Sequence, residues 1–358
     1  MLKPSFIIIG GGIVGHMIAW KICHAWPGAA VTLLERDMIG CGATLRSAGL
    51  HFPLGRTAAV RAMSERSEAF YREFRTSQPD APIVSLGLRV HAGQSGAADL
   101  AKIFTSGAAL ELDRAGCSVS AVFGSRHGIW RASGAQRADV TALTQYLGER
   151  LRDRVRCLTG LKVTRIVEKG ATARVLTQDG QTLSADTIVL APGPWALAPE
   201  FLPFTESLGI RIKRVVAFHI DRSATAELQS DAAVDLFVDE DAFLMPRPRG
   251  MGRLFSFTRQ HWDVEPAAST GDLCAEDRAE GTAILQSVAP RLAHAIAGGQ
   301  LFCDAYSPDR IPIVARVGQS GRVIFAGAAN GSGYRLAPAI AHEVLGAVAA
   351  EHTEEISA

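Results

Sequence analysis

The fold of this chain is set near its start by the stretch "FIIIGGGIVGHMIAW", residues 6–20. A short apolar run ends in a glycine cluster, which leads directly into a predicted helix. Gly10, Gly12 and Gly15 match the G-x-G-x-x-G pattern of dinucleotide-binding turns. In such a turn the first glycine permits a tight bend, the second lets a pyrophosphate approach, and the third lets helix and strand pack closely. The stretch therefore predicts a pyrophosphate site at the amino end of a helix.

The segments around the glycine turn support this interpretation. Residues 6–9 are continuously apolar, as in a strand buried on both faces of a parallel sheet. Residues 13–26 predict a helix and residues 30–36 a second strand. Glu35 lies twenty residues after Gly15, where a carboxylate accepts hydrogen bonds from ribose hydroxyls and repels a 2′-phosphate. NADP is therefore disfavoured, and a P-loop is excluded because no Gly-Lys-Ser/Thr follows.

Composition and charge narrow the class of protein. The chain has 358 residues, of which 47% are hydrophobic and 20% charged, so it can bury a large core. The formal net charge is +1 without a basic stripe, which argues against a nucleic-acid partner. Its 6 cysteines include no C-x-x-C pair, so we expect no metal site, no disulfide framework and a reducing, cytoplasmic location. No stretch approaches the roughly 18 apolar residues of a transmembrane helix.

Local signals mark further helices and a hairpin along the chain. Thr57 and Asp139 are predicted helix N-caps, each followed by apolar residues at helical spacing. The Asp179-Gly180 pair predicts a hairpin turn. Helices are also predicted near residues 275–297 and 337–350.

Blocks of mixed strand character separate the dinucleotide-type segments. They include "CSVSAVFG", residues 117–124, and strands over residues 206–304. This alternation predicts one nucleotide-binding domain assembled from discontinuous pieces, with a second domain inserted twice. We expect a FAD-binding domain of residues 1–76, 140–205 and 305–358, and a substrate-binding domain of residues 77–139 and 206–304.

Three further motifs carry a family resemblance: "GCGATLRSAG" at residues 40–49, "TIVLAPGPWA" at 187–196 and "RVIFAGAANGSGYRLAP" at 322–338. With the first turn, and in this order, they resemble the FAD-dependent oxidoreductases that include D-amino acid oxidase, glycine oxidase and sarcosine oxidase. The resemblance covers nearly the whole chain. It implies an α/β fold with a Rossmann-like FAD-binding domain, built on a doubly wound parallel sheet, and an inserted substrate domain with a mixed or antiparallel sheet.

The resemblance also implies which residues bind FAD. The first turn would hold the pyrophosphate, Glu35 the adenosine ribose, and Arg36 and Val163 the adenine end. The carboxy-terminal glycine loop would meet the pyrimidine side of the flavin, where a helix amino terminus stabilises negative charge. The full predicted set is Gly10, Gly12, Ile13, Val14, Gly15, Glu35, Arg36, Thr44, Arg46, Ser47, Ala48, Val163, Ala191, Gly193, Gly327, Gly331, Ser332, Gly333 and Tyr334.

On the substrate side, sarcosine-oxidase-like relatives carry a cation just after the terminal G-x-G, where it binds the substrate carboxylate. Arg335 holds that place in "GSGYRLAP", although a solvated arginine at a helix start is the alternative. Many relatives also have an arginine shortly before S/T-P-D-G-x-P. The matching stretch "FCDAYSPDRIPIV" has Asp304 there instead, which would meet a cationic substrate group or lie on the surface. Tyr306 would lie near the same pocket.

Three more residues complete the predicted catalytic set. His51 would face the flavin or link to it covalently, or simply be packed in a core. Met245 belongs to the sheet that would cover the flavin, or is a plain strand residue. Tyr334 would approach the flavin within the terminal loop.

The favoured reaction is oxidation of a carbon–nitrogen bond in a small carboxylate-bearing amine or amino acid, by hydride transfer to flavin N5 and hydrolysis of the imine. Oxidation of a 2-hydroxy acid, a flavoprotein subunit of a larger complex and a dissociable NAD enzyme are the alternatives. O2 and a quinone or carrier protein are both open as electron acceptor. The exact substrate, covalent attachment of the flavin and assembly into a homo-oligomer are also left open.

Overall fold

The computed structural model describes residues 3–93, 97–113, 122–123, 128–170, 172–228, 232–266 and 273–357. Within these ranges the strands are β1 (Ser5–Ile9), β2 (Ala30–Leu34), β3 (Leu50–His51), β4 (Ile83–Ser85), β5 (Leu88–Ala92), β6 (Glu111–Leu112), β7 (Gly128–Ala132), β8 (Gln136–Ala138), β9 (Val155–Leu158), β10 (Val163–Lys169), β11 (Thr172–Thr177), β12 (Thr182–Ala185), β13 (Thr187–Leu190), β14 (Arg211–Ile220), β15 (Val234–Phe237), β16 (Ala242–Pro246), β17 (Arg253–Phe257), β18 (Ile296–Tyr306), β19 (Ile313–Val317) and β20 (Val323–Gly327). The α-helices are α1 (Ile13–Ala25), α2 (Ala43–Arg46), α3 (Ala58–Ser77), α4 (Ala97–Ile103), α5 (Val140–Leu151), α6 (Leu202–Thr205), α7 (Ala275–Val288) and α8 (Gly333–Ser357).

Strand β1 lies inside a six-stranded sheet of order β19-β20-β13-β1-β2-β9. Neighbouring strands are parallel except for the antiparallel β19–β20 edge. Residues 6–9 are buried, which explains their continuous apolar run. Helices α1, α5 and α8 pack on one face, and the antiparallel sheet β10-β11-β12 covers the other. This arrangement confirms the predicted Rossmann-like α/β fold.

A second sheet has eight strands in the order β18-β14-β17-β16-β15-β5-β7-β6. Its pairs are antiparallel except for the parallel β15–β5 pair, which confirms the predicted mixed sheet. Helix α7 packs on it so closely that a β-carbon on Gly281 would come within 2.5 Å of the Phe218 and Phe257 rings. The strands fall within residues 88–132 and 211–306. The domain boundaries themselves stay a prediction.

The predicted caps and hairpin are confirmed. The Thr57 hydroxyl accepts a hydrogen bond from the Val60 N–H (3.1 Å), and the Asp139 carboxylate accepts one from the Ala142 N–H (2.9 Å). Strands β11 and β12 form the antiparallel hairpin around Gly180, whose φ is +83°. The stretch "CSVSAVFG" lies almost entirely outside the described residues.

Helix α7 is shorter than the predicted 275–297. It ends at Val288 because Pro290 follows, and the residue before a proline is driven out of helical geometry. Ala289 accordingly has φ −143° and ψ 69°. The chain then makes a 3-10 turn at Pro290–Leu292 and enters β18 at Ile296.

Helix α8 begins earlier than predicted, at Gly333 instead of residue 337, although Pro338 then lies inside the helix. Because proline has no N–H, Pro338 cannot donate a helical hydrogen bond to the carbonyl of Tyr334, four residues earlier. The Tyr71 hydroxyl of α3 donates to that carbonyl at 2.7 Å. Because α3 supplies the missing donor, Tyr334 and Arg335 lie in the first turn of α8.

Among the described helices, none combines the length and the apolar character that a membrane crossing requires.

Candidate functional site

A cavity of about 730 Å³ runs between the two large sheets. At one end it is lined by Gly10 and Glu35, which directly follow β1 and β2 of the six-stranded sheet. At the other it reaches Ser256 and Tyr306 of the eight-stranded sheet. It follows the carboxyl ends of parallel strands, where open α/β sheets bind their ligands.

The glycine turn leaves no room for side chains. Gly10 has φ +117°, and a β-carbon on it would lie 2.1 Å from the Ala191 carbonyl oxygen. A β-carbon on Gly15 would lie 2.0 Å from the Gly10 carbonyl oxygen. One on Gly12 would lie 3.0 Å from the Thr44 hydroxyl. The turn therefore presents bare backbone to the cavity, and Gly15 acts as predicted in helix–strand packing, away from the cavity wall.

Glu35 joins the end of β2 to this turn. Its Oε2 accepts a hydrogen bond from the Gly11 N–H (2.8 Å), and its Oε1 accepts one from the Asp37 N–H (2.9 Å). Each oxygen keeps a free lone pair. The carboxylate thus stands at the cavity wall in fixed orientation, with acceptor capacity left for hydroxyl groups.

The segment around α2 closes over the amino end of α1. Gly12 cannot cap that helix with a side chain, and the Thr44 hydroxyl instead accepts the Ile13 N–H at 3.0 Å. Arg46 donates to the Leu301 carbonyl at 2.8 Å, which ties α2 to β18. The Ser47 hydroxyl accepts the Gly49 N–H at 3.1 Å. The predicted residues Thr44, Arg46, Ser47 and Ala48 all line the cavity, as do Ile13 and Val14.

An aromatic ring at the Glu35 end was not predicted. The Arg36 guanidinium lies 3.9 Å from the centroid of the Trp195 ring, a cation–π contact, and also pairs with Asp37 at 2.8 Å. Trp195 lines the cavity together with the predicted Val163, Ala191 and Gly193. Its position two residues after Gly193, in the second glycine turn, is the sequence feature that could have indicated a cavity residue.

The carboxy-terminal loop, residues 328–332, is held in an uncommon conformation. Ala328, Asn330 and Gly331 have φ of 49°, 56° and 75°. The Asn330 side chain accepts the Ser307 N–H (3.0 Å) and donates to the Ala328 carbonyl (2.9 Å). Asp304 accepts the Gly331 N–H at 3.1 Å. These bonds stabilise the loop against the cavity, which Gly327, Gly331, Ser332 and Gly333 all line.

Arg335 is half-buried in the cavity wall. Its guanidinium donates to the Leu54 carbonyl and to the Ser332 hydroxyl, both at 2.8 Å. Both acceptors are neutral, and none of the ion pairs among the described residues includes Arg335. Burial lowers the pKa of Arg335 to about 10, so it stays charged at neutral pH. A fixed and uncompensated cation of this kind favours an anionic ligand.

Tyr334 was predicted to be a catalytic residue, and the structure gives its side chain a different position. It borders the cavity, but its side chain is only 3% exposed. Its ring packs on that of Tyr71 (centroids 5.0 Å apart), and its hydroxyl accepts a hydrogen bond from Gln136 at 3.1 Å. The phenol therefore belongs to the core between α3 and α8, which leaves the backbone of Tyr334 for the cavity.

His51 and Met245 lie outside the described cavity wall, which agrees with the alternative prediction for each, a packed core histidine and a plain strand residue. His51 is fully buried with its ring edge against Tyr71 (6.1 Å), and burial lowers its pKa to about 3. Neither of its ring nitrogens has a hydrogen-bond partner. Met245 is 4% exposed and packs in the core of the eight-stranded sheet.

Lys213 of β14 lines the cavity and was not predicted, because no local pattern marks it. The residue is 3% exposed. Its ammonium lies 4.9 Å from the Trp262 ring centroid and 4.8 Å from that of Tyr306. Burial lowers the pKa of Lys213. Tyr306, which was predicted, thus contributes to an aromatic wall around a cation.

Asp304 is not an exposed surface residue, and its carboxylate is held by hydrogen bonds. It faces Lys213 in the β14–β18 register, and its carboxylate accepts the N–H groups of Ala305 (2.9 Å) and Gly331 (3.1 Å). Burial of the carboxyl group raises its pKa from 3.8 to about 6, because the two hydrogen bonds offset only part of the desolvation.

This raised pKa predicts a pH-dependent effect of Asp304→Asn. A carboxyl that binds its proton more tightly when folded makes the parent protein lose stability as pH rises from the unfolded pKa towards the folded one. Asparagine does not titrate. We therefore expect the free energy of unfolding of the variant, minus that of the parent, to become more positive between about pH 4 and pH 7. Denaturant unfolding at several pH values measures this difference, and a difference independent of pH would contradict the assigned pKa.

The whole chain was compared with known proteins. Residues 5–345 match the family model described as FAD dependent oxidoreductase. The sequence alone matches no curated relative. Similar solved structures include fructosyl amine:oxygen oxidoreductase (Amadoriase I) from Aspergillus fumigatus, with TM-score 0.76, 17% identity and coverage of 98% of this chain and 88% of that one.

Two further solved structures share the fold. Glycine oxidase from Geobacillus kaustophilus has TM-score 0.75 and 16% identity, over 95% of this chain and 93% of that one. L-proline dehydrogenase from P. horikoshii has TM-score 0.75 and 17% identity, over 96% of this chain and 92% of that one.

The family match extends over nearly the whole chain, and the glycine turn, Glu35 and the terminal loop lie on one cavity as the motifs require. The chain belongs to the family of FAD-dependent oxidoreductases.

Proposed function

We propose that this FAD-dependent oxidoreductase oxidises a carbon–nitrogen bond of a small carboxylate-bearing amine. The observation that carries the proposal is Arg335, a half-buried cation that forms no ion pair with a carboxylate among the described residues and lies beside the terminal glycine loop. Bound FAD supplies the acceptor for the two electrons of this oxidation. The similar structures named for glycine, fructosyl amine and proline support a carbon–nitrogen bond as the one oxidised.

The cavity suits an extended dinucleotide. The glycine turn presents bare backbone to the cavity, and the amino end of α1 follows it, where a pyrophosphate would bind. Glu35 would accept from the ribose, and Arg36 with Trp195 would flank the adenine. The loop 328–332 and the first turn of α8 would meet the flavin ring, with the partial positive charge of a helix amino end. We propose that residues 1–76, 140–205 and 305–358 form this FAD-binding domain, and residues 77–139 and 206–304 the substrate domain.

Glu35→Gln should weaken FAD binding. The charge of the acceptor is lost, and an amide cannot accept on both of its terminal atoms as the carboxylate does from Gly11 and Asp37. A hydrogen bond to a charged group contributes roughly 1.5–3 kcal/mol, so we expect affinity to fall by about ten-fold or more. Titration of flavin-free protein with FAD measures this loss. Glu73→Gln, on an exposed position of α3, is the matched control, and equal affinities of the two variants would remove Glu35 from the site.

Two neighbouring groups fix the orientation of the Arg335 side chain. The Leu54 carbonyl and Ser332 hydroxyl fix the guanidinium plane, which leaves its remaining N–H groups for a substrate carboxylate. Trp262 and Tyr306, whose ring centroids lie 5.3 Å apart, line the same cavity. Together these groups would hold the substrate in one orientation and exclude water from it.

Lys213 supports a second candidate function. Oxidation of a 2-hydroxy acid requires a base for the hydroxyl proton, and a lysine in the cavity with a lowered pKa is such a group. No histidine belongs to the cavity wall in the described part of the chain. Lys213→Met would then abolish reduction of the flavin by hydroxy acids.

Anaerobic bleaching of the flavin separates the two candidates. The panel contains N-methyl, D-, L- and cyclic amino acids, together with 2-hydroxy acids of the same carbon skeletons. We expect reduction by one or more amines and none by hydroxy acids. Reduction by hydroxy acids alone would overturn the proposal in favour of the second candidate.

Arg335→Met should weaken the productive binding of carboxylate substrates. Removal of one partner from a buried charge pair costs about 2–5 kcal/mol, much of it from the unpaired carboxylate that is left. The measurement is kcat/KM for the substrate found by bleaching, compared with Arg174→Met on an exposed position of β11. Unchanged kinetics in Arg335→Met would show that the substrate carboxylate binds elsewhere.

We further propose a cytoplasmic protein that passes electrons to O2 or to a quinone or carrier. None of the described cysteines, Cys23, Cys41, Cys157, Cys274 and Cys303, forms a disulfide, which suits a reducing compartment.

A further inference from the structure

We infer that the substrate carries a second anionic group, which Arg310 and Lys213 bind. The inference rests on the proposed function and names its substrate class: a small amino- or imino-dicarboxylate. It is carried by the conformation of Arg310, the surroundings of Lys213 and the ion pairs that most other cations on the described cavity wall form.

Arg310 occupies a backbone position that favours glycine. It lies in "SPDRIP", residues 307–312, where the family pattern S/T-P-D-G-x-P has glycine. Its φ is 62°, in the left-handed region that residues with a β-carbon disfavour. The side chain is exposed at the mouth of the cavity and lines it. A strained arginine at a binding site, in place of an unstrained glycine, indicates a use for its charge.

Lys213 presents a second cation from deeper in the same cavity. Its ammonium lies over the rings of Trp262 and Tyr306, which satisfy it only weakly compared with a carboxylate. Burial is the main cause of the lowered pKa of Lys213; the charge of Arg310 adds to it, and the charges of Asp241 and Glu280 oppose it. Two repelling cations on one wall are stabilised when an anion binds between them.

Among the described residues, no neighbouring acid forms an ion pair with these cations, although the charge of Asp241 acts to raise the pKa of both Lys213 and Arg335. Asp241 pairs with Arg56 at 3.1 Å, and Asp263 pairs with Arg211 at 2.6 Å. Asp277 pairs with Arg214 and Arg259, which also line the cavity. Asp304, opposite Lys213 in the strand register, accepts the N–H groups of Ala305 and Gly331.

Four cations on the described cavity wall, Arg46, Lys213, Arg310 and Arg335, form no ion pair with a carboxylate within the described residues. Arg46 lies in the segment predicted to bind FAD and donates to the Leu301 carbonyl. One substrate carboxylate on Arg335 leaves Lys213 and Arg310 without an ion-pair partner. A second carboxylate on the same small substrate would compensate them.

The inference is tested by equilibrium binding of simple anions to the flavin-containing protein. The probes are malonate, succinate and glutarate, each compared with the monocarboxylate of equal carbon number: propionate, butyrate and pentanoate. Binding is followed by the visible absorption of the flavin and by thermal shift, neither of which requires turnover. We expect the best dicarboxylate to bind at least about ten-fold more tightly than its monocarboxylate.

The key variant is Arg310→Gly, because glycine accepts a φ of 62° without strain and the loop keeps its shape. We expect it to lose the preference for dicarboxylates, and Arg310→Lys to keep part of it. Lys213→Met should lower the preference as well. Arg152→Gln removes an exposed positive charge outside the cavity and should keep the full preference. Equal binding of mono- and dicarboxylates by the parent protein, or a full preference in Arg310→Gly, would overturn the inference.

These outcomes separate the inference from the proposed function. If no amine reduces the flavin but the Arg310-dependent preference persists, the proposed oxidation fails and the second anion site stands. If monocarboxylate amines reduce the flavin and dicarboxylates bind no better, the oxidation stands and the second anion site is rejected.

Discussion

The structure depends on the contact between Gly10, Gly15 and the end of β13, where a β-carbon would lie 2.0–2.1 Å from a carbonyl oxygen. Only glycine allows α1 to begin this close to β1 and β13. That closeness places the amino end of α1 against the Thr44 hydroxyl, and the Gly11 N–H against the Glu35 carboxylate. One steric constraint thus forms one end of the cavity.

The other end depends on a hydrogen bond between helices. Pro338 leaves the Tyr334 carbonyl without its helical donor, and the Tyr71 hydroxyl replaces it. The first turn of α8 can therefore extend back to Gly333, which holds Arg335 at the cavity wall. Both ends present fixed positive potential, one from a helix amino end and one from a guanidinium. This distribution suits a pyrophosphate at one end and a small anion at the other.

The sequence predicts most of the structural features that depend on residues close together in the chain. Glycine spacing, the caps Thr57 and Asp139 and the hairpin at Gly180 follow from local rules, and the structure has them. The start of α8 was predicted late because its donor comes from Tyr71, which is 263 residues away. Lys213 and Trp195 carry no motif, and only strand register and tertiary packing bring them to the cavity. The position of His51 just after a motif, and of Met245 on the inserted sheet, does not fix where their side chains point, because successive residues of a strand face opposite sides.

The central claim is that a single cavity holds the whole of FAD, with its adenosine half at the glycine turn and Glu35. Titration of flavin-free protein with FAD and with FMN tests it most directly, because FMN lacks the half that these residues would contact. We expect one FAD to bind per chain, and FMN to bind at least about a hundred-fold more weakly. Equal affinity for FMN and FAD would contradict the claim, since the glycine turn and Glu35 would then contribute nothing to binding.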